Sequence, residues 1–342
     1  MSTKKEVSAH EELGGTPRKR TFGQKFKRSC ARFWWIYLFV FIAVVLVVVL
    51  PVIYVAYPNI AQDSVNDSSL HVVSESVLNP TPEQVDLELV TWLHNPSSHN
   101  PDLDQFEASL YLKDSDVPFV SFTSPAINGK NGTEATVKQT VPIQNMTEFT
   151  RYTMVTLASD TYTVYLRGKG GLKLGGLPKT TVDYNQEIEI QGLRGFQGLE
   201  VTEFHLLTES LPDGANAIGN VTIPNPSPAT YAFGDVSFDM SVEGEFIGNA
   251  TLPSLTLTPG NNSYPIHVTS NQTRVALIIQ RPEYHCGVFP VDIAGNASIY
   301  DGKRLPYYSD ALRANKLSTV LNVSDALNEV GFGFALGNCT TS

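Results

Sequence analysis

The stretch "VTIPNPSPAT", Val221–Thr230, decides how this chain is read. Its alternation of apolar and polar residues is that of a β-strand, yet Asn225-Pro226-Ser227 stands inside it. Proline has no N–H to give a strand ladder and belongs at a strand's end, edge or bulge. The residue before it is held in extended geometry. When that residue is asparagine, its side chain bonds nearby backbone. The same tripeptide, Asn95-Pro96-Ser97, closes another strand-like run in "TWLHNPSSHN", Thr91–Asn100. Downstream of each tripeptide comes a second shared element. "VPIQNMTEFTRY" (Val141–Tyr152) matches "YPIHVTSNQTRV" (Tyr264–Val275), with Pro-Ile preceding Thr-Arg by the same interval. Two anchors in one order imply that a β module is present twice. Proline also removes the glycosylation signal from both tripeptides, so Asn95 and Asn225 are free to be buried.

The surroundings agree with a β reading. "VDLELVTWL", "TYTVYLRG", "DYNQEIEIQG", "LEVTEFHLL", "VSFDMSVEGEF" and "TRVALIIQ" (Thr273–Gln280) are short runs suited to strands. Turn signals such as "NGKNG", "PDG", "PGNN" and "DGK" separate them. Many short strands at that spacing predict sandwiches or barrels. Helical patterns are confined to Ser309–Lys316 and Val320–Val330, each with a "SDAL" whose serine, Ser309 or Ser324, is placed as an N-cap.

The run Phe33–Tyr57 holds no charge and is long enough to cross a bilayer with some tilt. It is too long for the apolar core of a signal peptide. Residues 1–32 carry nine Lys/Arg against three Glu, and no further basic residue occurs until Lys113. Basic flanks stay in the cytosol, so this is a type II, single-pass layout with residues 58–342 lumenal. The expected organisation is a disordered basic tail (1–32), a membrane helix (33–57), a linker (58–82) with room for a short strand near Val72, a first β-sandwich (83–195) and a second with a C-terminal extension (196–342).

Ten sequons agree with lumenal exposure: Asn66, Asn131, Asn145, Asn220, Asn249, Asn261, Asn271, Asn296, Asn322 and Asn338. Cys286 and Cys339 are the two lumenal cysteines and are expected to pair in an oxidising compartment. Cys30 lies on the cytosolic side, a palmitoylation candidate or a plain free thiol. The formal net charge is −10 despite the basic tail, so the remainder is strongly acidic and unsuited to nucleic acid.

No chemistry stands out. There is no G-x-S-x-G elbow and no Walker A motif. "GKGGLKLGG" (Gly168–Gly176) reads as a glycine-rich hairpin, and "GFGFALG" (Gly331–Gly337) as a close-packed strand. His71, His94, His99, His205, His267 and His285 show no metal-ligand spacing and read as surface-loop residues. His94 and His99, flanking the first Asn-Pro-Ser, are placed to titrate in an acidic lumen. The expectation is a non-enzymatic protein with no cofactor and no catalytic or metal residues.

The layout resembles the late-embryogenesis-abundant type 2 domain, whose first strand commonly ends in Asn-Pro, and most of all the fungal type II membrane proteins that carry a related domain of unknown function. "VTWLHNPS", "VPIQNMTEFTRY", "VTIPNPSPAT" and "YPIHVTSNQTRV" carry the resemblance, with the basic tail and single span. It implies a β-sandwich with an apolar groove, residence on a vacuolar or lysosomal membrane, and lipid binding or transfer linked to autophagy. The plasma membrane is the alternative address. A groove would draw on strand faces such as Leu87, Leu89, Ile188, Ile190, Val275, Leu277 and Ile279, which ordinary core packing explains equally well. The competing function is a lumenal protein-recognition module signalling through the tail, its partners unnamed by the sequence.

Overall fold

The computed structural model describes residues 22–97 and 99–337. Two units divide the chain, Met1–Tyr57 and Pro58–Ser342. In the first, α1 (Phe22–Pro51) runs on through a π-helical turn at Val52–Ala56. The apolar helix from Trp34 to Asn66 has a mean hydropathy of 3.3 in its most apolar window, long and apolar enough to cross a membrane. Cys30 lies within α1.

The segment 58–82, expected to be mainly linker, holds a helix end and, around Val72, a strand longer than the short one expected there. Helix α2 (Tyr57–Asn66) continues into it and is followed by the ten-residue strand β1 (Ser69–Leu78). From there the chain is mainly β. It forms β2 (Gln84–His94), β3 (Asp102–Leu103), β4 (Phe106–Leu112), β5 (Val120–Ser124), β6 (Ile127–Asn128) and β7 (Glu134–Pro142). Helix α3 (Met146–Ala158) precedes β8 (Thr161–Lys173) and β9 (Thr180–Gln191). Next come β10 (Glu200–Leu206), β11 (Ala217–Asn225), β12 (Ala229–Val242), β13 (Glu245–Leu257), β14 (Gly260–Ser270) and α4 (Gln272–Ile279). The chain closes with β15 (Val288–Tyr300), β16 (Lys303–Arg304), α5 (Pro306–Ala314), β17 (Lys316–Asn322) and α6 (Ser324–Glu329).

The duplication extends through the topology. In the first half β1 pairs β2, β2 pairs β7, β4 pairs β5 and β8, and β8 pairs β9. In the second β10 pairs β11, β11 pairs β14, β12 pairs β13 and β15, and β15 pairs β17. Every one of these pairs is antiparallel, and a helix follows β7 as it follows β14. The halves join through a parallel ladder in which Glu75 to Val77 of β1 face Ala229 to Tyr231 of β12. Strand β12 is long enough to serve both sides, pairing β1 near its start and β15 further along.

The Asn-Pro-Ser tripeptides end strands β2 and β11 as the proline argument requires. Both asparagines are buried, Asn95 at 6% exposure and Asn225 at 2%. Each accepts from the backbone N–H of the serine two residues on, at 2.9 Å, and donates to the carbonyl four residues on.

One element differs from the strand reading, and a helix stands in its counterpart in the first half. "TRVALIIQ" is helix α4: Asn271 accepts from the N–H of Arg274, and Ile278 and Ile279 are buried beneath it. A short apolar run is ambiguous between strand and helix, and here the asparagine cap sets the outcome. The matching "NMTEFTRY" opens α3, where Asn145 accepts from the N–H of Glu148. Its buried residues, Phe149, Tyr152, Thr153, Thr156 and Leu157, follow helical spacing.

Near the C-terminus the helices shift. Leu305 precedes α5 and Pro306 opens it, while Ser309 lies inside, donating to Leu305 and accepting from the N–H of Ser298. Of Val320–Val330 only Ser324–Glu329 is helical, because Lys316–Asn322 pairs with β15. Val323 is the residue before α6, and Ser324 bonds Asn322 instead of capping the helix. "GFGFALG" is a short 3-10 turn at Gly333–Ala335 with Phe332 and Phe334 exposed, not a packed strand.

Candidate functional site: an apolar cleft between the sheets of the first half

Within the first half, β1, β2 and β7 form one wall of a cleft, and β3 to β6, β8 and β9 form the other. Leu70, Leu89, Leu93, Ala135 and Val137 face Leu103, Phe106, Phe122, Ile127, Leu166 and Tyr184, and no charged side chain lines the space. It holds a void of ≈ 70 Å³. A water needs about 10–15 Å³ on such a measure, so the void is several times the space of one water.

The cleft exists because the sheet splits. In the second half β13 and β14 pair directly, Gly248 to Thr251 against Ser270 to His267. Their counterparts β5 and β7 meet only at the bridge Val120–Ile143 and then diverge. Gln139 of β7 spans the gap. Its amide accepts from the N–H of Thr123 at 3.1 Å and donates to the carbonyl of the same residue at 2.8 Å, standing in for a missing backbone pair. Outside the split lies a polar groove lined by both strands, and Phe106 and Phe122 wall it as well as the cleft.

The aromatic wall depends on glycine. Phe106 stacks on Tyr184 with ring centroids 4.3 Å apart. A Cβ at Gly170 would come within 2.9 Å of the Tyr184 ring and 3.1 Å of Phe106. The glycine-rich hairpin therefore leaves room for a ring pair. The Tyr184 hydroxyl is buried without a hydrogen-bond partner, and burial pushes its pKa up, with Asp104 adding to the effect.

Helix α2 closes one side. Gln62 clasps the backbone of Asp183, donating to its carbonyl at 2.7 Å and accepting from its N–H at 2.8 Å. Buried Gln186 donates to the carbonyl of Val65 at 2.6 Å. These bonds cover the free edge of β9, which an uncovered sheet would expose. Asn95 closes another side by donating to Gly129.

Of the strand-face residues singled out from sequence, Leu89 lines the cleft, while Leu87, Ile188 and Ile190 are buried core. Val275, Leu277 and Ile279 lie on α4, with Leu277 exposed. Sequence reasoning missed Gln139, Phe106, Phe122 and Tyr184. For Gln139 no signal existed, since it sits at an ordinary half-buried strand position.

None of the sequon asparagines from Asn66 to Asn322 is fully buried. Asn145 and Asn271 cap helices through Oδ1. Asn249 and Asn296 both donate to Asp239, and Asn220 donates to Glu203. Asn322 accepts from Ser324, Asn131 accepts from the N–H of Asn95, Asn66 accepts from Gln62, and Asn261 is exposed. Asn338 and Cys339 lie outside the described residues. Cys286 is half-buried, its Sγ 3.7 Å from Nε2 of His285. Among the described residues no group of three His, Cys, Asp or Glu is arranged to hold a metal ion.

Residues 117–240 match a domain family described as "Protein of unknown function (DUF3712)". The match begins before β5 and ends in β12, so it straddles the two halves. No curated protein matches the chain. Among solved structures, red sea bream transglutaminase overlaps at 12% identity and a TM-score of 0.21, covering 74% of this chain and 31% of its own. The exo-chitosanase CsxA of Amycolatopsis orientalis overlaps at 14% identity and a TM-score of 0.20, covering 69% of this chain and 25% of its own. A Mobiluncus mulieris adhesin gives 9% identity and a TM-score of 0.19, covering 67% of this chain and 81% of its own. The chain thus spans a third or less of the first two proteins, and overlaps this slight carry no argument.

Proposed function

We propose that this is a non-enzymatic, single-pass type II membrane glycoprotein whose lumenal β-sandwich halves hold an apolar ligand, a lipid chain, in the cleft of the first half. The observation that carries the reading is the uncharged void between diverging sheets, walled by leucines, alanine and a stacked aromatic pair. Anchoring supports it. Ser64 and Val65 line the cleft and follow Tyr57 by only a few residues. The basic tail sets the orientation. The resemblance read from the Asn-Pro strand ends favours a vacuolar membrane and a link to autophagy.

The test is lipid extraction and mass spectrometry of the full chain purified in mild detergent, beside the variant Ala135→Phe, which fills the void. Co-purifying lipid reduced at least fivefold in the variant is the expected result. Equal lipid in both, or no exchange of labelled lipid between liposomes by the wild type, sinks the reading. A second reading, a lumenal recognition module, draws on the split between β5 and β7, whose edges face a groove instead of each other. Cross-linking in intact cells from position 123 to another protein, with lipid exchange absent, would favour it.

A further inference from the structure

Glu75 occupies an unusual place. It lies on β1 between Leu89 of β2 and Ala229 of β12, on the parallel ladder that joins the two halves. It is only 7% exposed. The hydroxyl of Tyr152, on α3, donates to its Oε1 at 2.8 Å. Its Oε2 is buried with no partner, and the buried hydroxyls of Thr156 on α3, Tyr162 on β8 and Tyr231 on β12 gather near it. A small, mainly apolar void of ≈ 10 Å³ lies against Tyr152, Thr156, Tyr231 and Tyr308 of α5.

A carboxylate here would be an unpaired buried charge, which is costly. The titratable groups facing Glu75 from α3, β8, β12 and α5 are Tyr152, Tyr162, Tyr231 and Tyr308. Neither strand neighbour, Leu89 nor Ala229, carries charge. The charged residues of β2 and β9 point elsewhere: Glu88 pairs with Lys138 at the surface, and Glu187 and Glu189 are exposed. A neutral carboxyl instead gains an O–H, a donor that the neighbouring hydroxyl oxygens can accept.

We propose that Glu75 is a proton-binding site at the junction, which as the neutral acid fastens β1 to β12 and so the two halves to each other. Burial pushes the carboxyl above its ordinary 4.5, and the bond from Tyr152 offsets this only in part. Burial first pushes the tyrosines up too, followed by the charge of Glu75 at Tyr152 and by Tyr162 and then Glu75 at Tyr231, so they stay neutral. The sign follows. A folded-state pKa raised above the unfolded one gives stability that is complete below about pH 4.5 and is lost as pH rises through the folded value. The junction is tightest in acid.

The experiment is hydrogen exchange on the full chain in detergent, from roughly pH 4.5 to roughly pH 8, corrected for intrinsic amide chemistry. At least tenfold faster exchange at Glu75–Val77 and Ala229–Tyr231 at the upper end is expected, with Tm falling over the same range. Glu75→Gln removes the titration and flattens both curves. Tyr152→Phe, which deletes the one bond favouring the charged form, moves the change to higher pH. Wild-type exchange at the ladder that does not vary with pH overturns the proposal even where a variant fails to fold. So does a Glu75→Gln protein with the wild-type pH slope.

Discussion

The side-chain amide of Asn225 donates to the backbone carbonyl of Ala229 at 2.8 Å, and its Oδ1 accepts from both the N–H and the hydroxyl of Ser227. Asn225 therefore folds the chain back over Pro226 and delivers it into β12 at the point where β12 meets β1. Replacing it with alanine would strand two buried backbone groups. Each such group costs about 1–3 kcal/mol, so Asn225→Ala is expected to lower unfolding stability by roughly 2–4 kcal/mol. Chemical denaturation of the full chain checks this. Asn95→Ala, at the matching turn of the first half, is expected to behave alike, and a loss below ~0.5 kcal/mol at both would show the turns to be passive.

Asn145 has two jobs in this fold. As a sequon it offers Nδ2 to a glycan, and as a cap it holds the N–H of Glu148 with Oδ1. Asn145→Gln and Asn145→Asp both abolish the sequon, but aspartate keeps a good cap and glutamine does not. The glutamine variant is expected to be about 1 kcal/mol less stable than the aspartate one. Both should run at the same lower mass on a glycosidase-shift gel. Equal stability would mean that the cap contributes nothing. A mass unchanged from wild type would mean the site is unused, and a chain wholly insensitive to glycosidase would reverse the topology.

Much of the fold was legible because it is written in local rules. Asn-Pro marks two strand ends, and period-two alternation marks β2 and β9. The helices α3 and α4 were hidden for a nameable reason. Their apolar runs are short, and Asn145 and Asn271 were read as glycan sites when they are also caps. The cleft was not legible at all. It arises because β5 and β7 fail to pair where β13 and β14 succeed, a difference of strand placement that no residue pattern encodes. Glu75 stood in a segment read as linker, where a carboxylate is unremarkable. Only the parallel ladder to β12 buries it.

Gln139 gives that split its restraint. Two side-chain hydrogen bonds to one residue fix β5 against β7 without a ladder. Gln139→Ala removes both, at a net cost of about 1–2 kcal/mol for the pair, since the groups it frees can reach water. The sharper readout is local. Exchange of the Thr123 amide should accelerate at least tenfold, while amides of β8 and β9 keep their wild-type rates. Unchanged protection at Thr123 would mean that other contacts hold β5.

His205 of β10 pairs with Glu329 of α6, Nδ1 to Oε2 at 2.8 Å. Both residues are solvent-exposed, so the pair adds little to overall stability, yet it ties the last helix to a strand of the second half. The hydrogen bond to Glu329, and then its charge, raises the histidine's pKa above 6.5. The sign is therefore that of a raised group. Its contribution is complete below about pH 6.5 and fades as pH rises through the folded value. Histidine ring resonances followed by NMR should show His205 titrating above the ordinary range, and Glu329→Gln should bring it back. The same variant should make α6 exchange faster in acid but not at alkaline pH, where the wild-type pair is already uncharged on the histidine side. A His205 that titrates identically with and without Glu329 would remove the pair from any account of how the C-terminal helix is held.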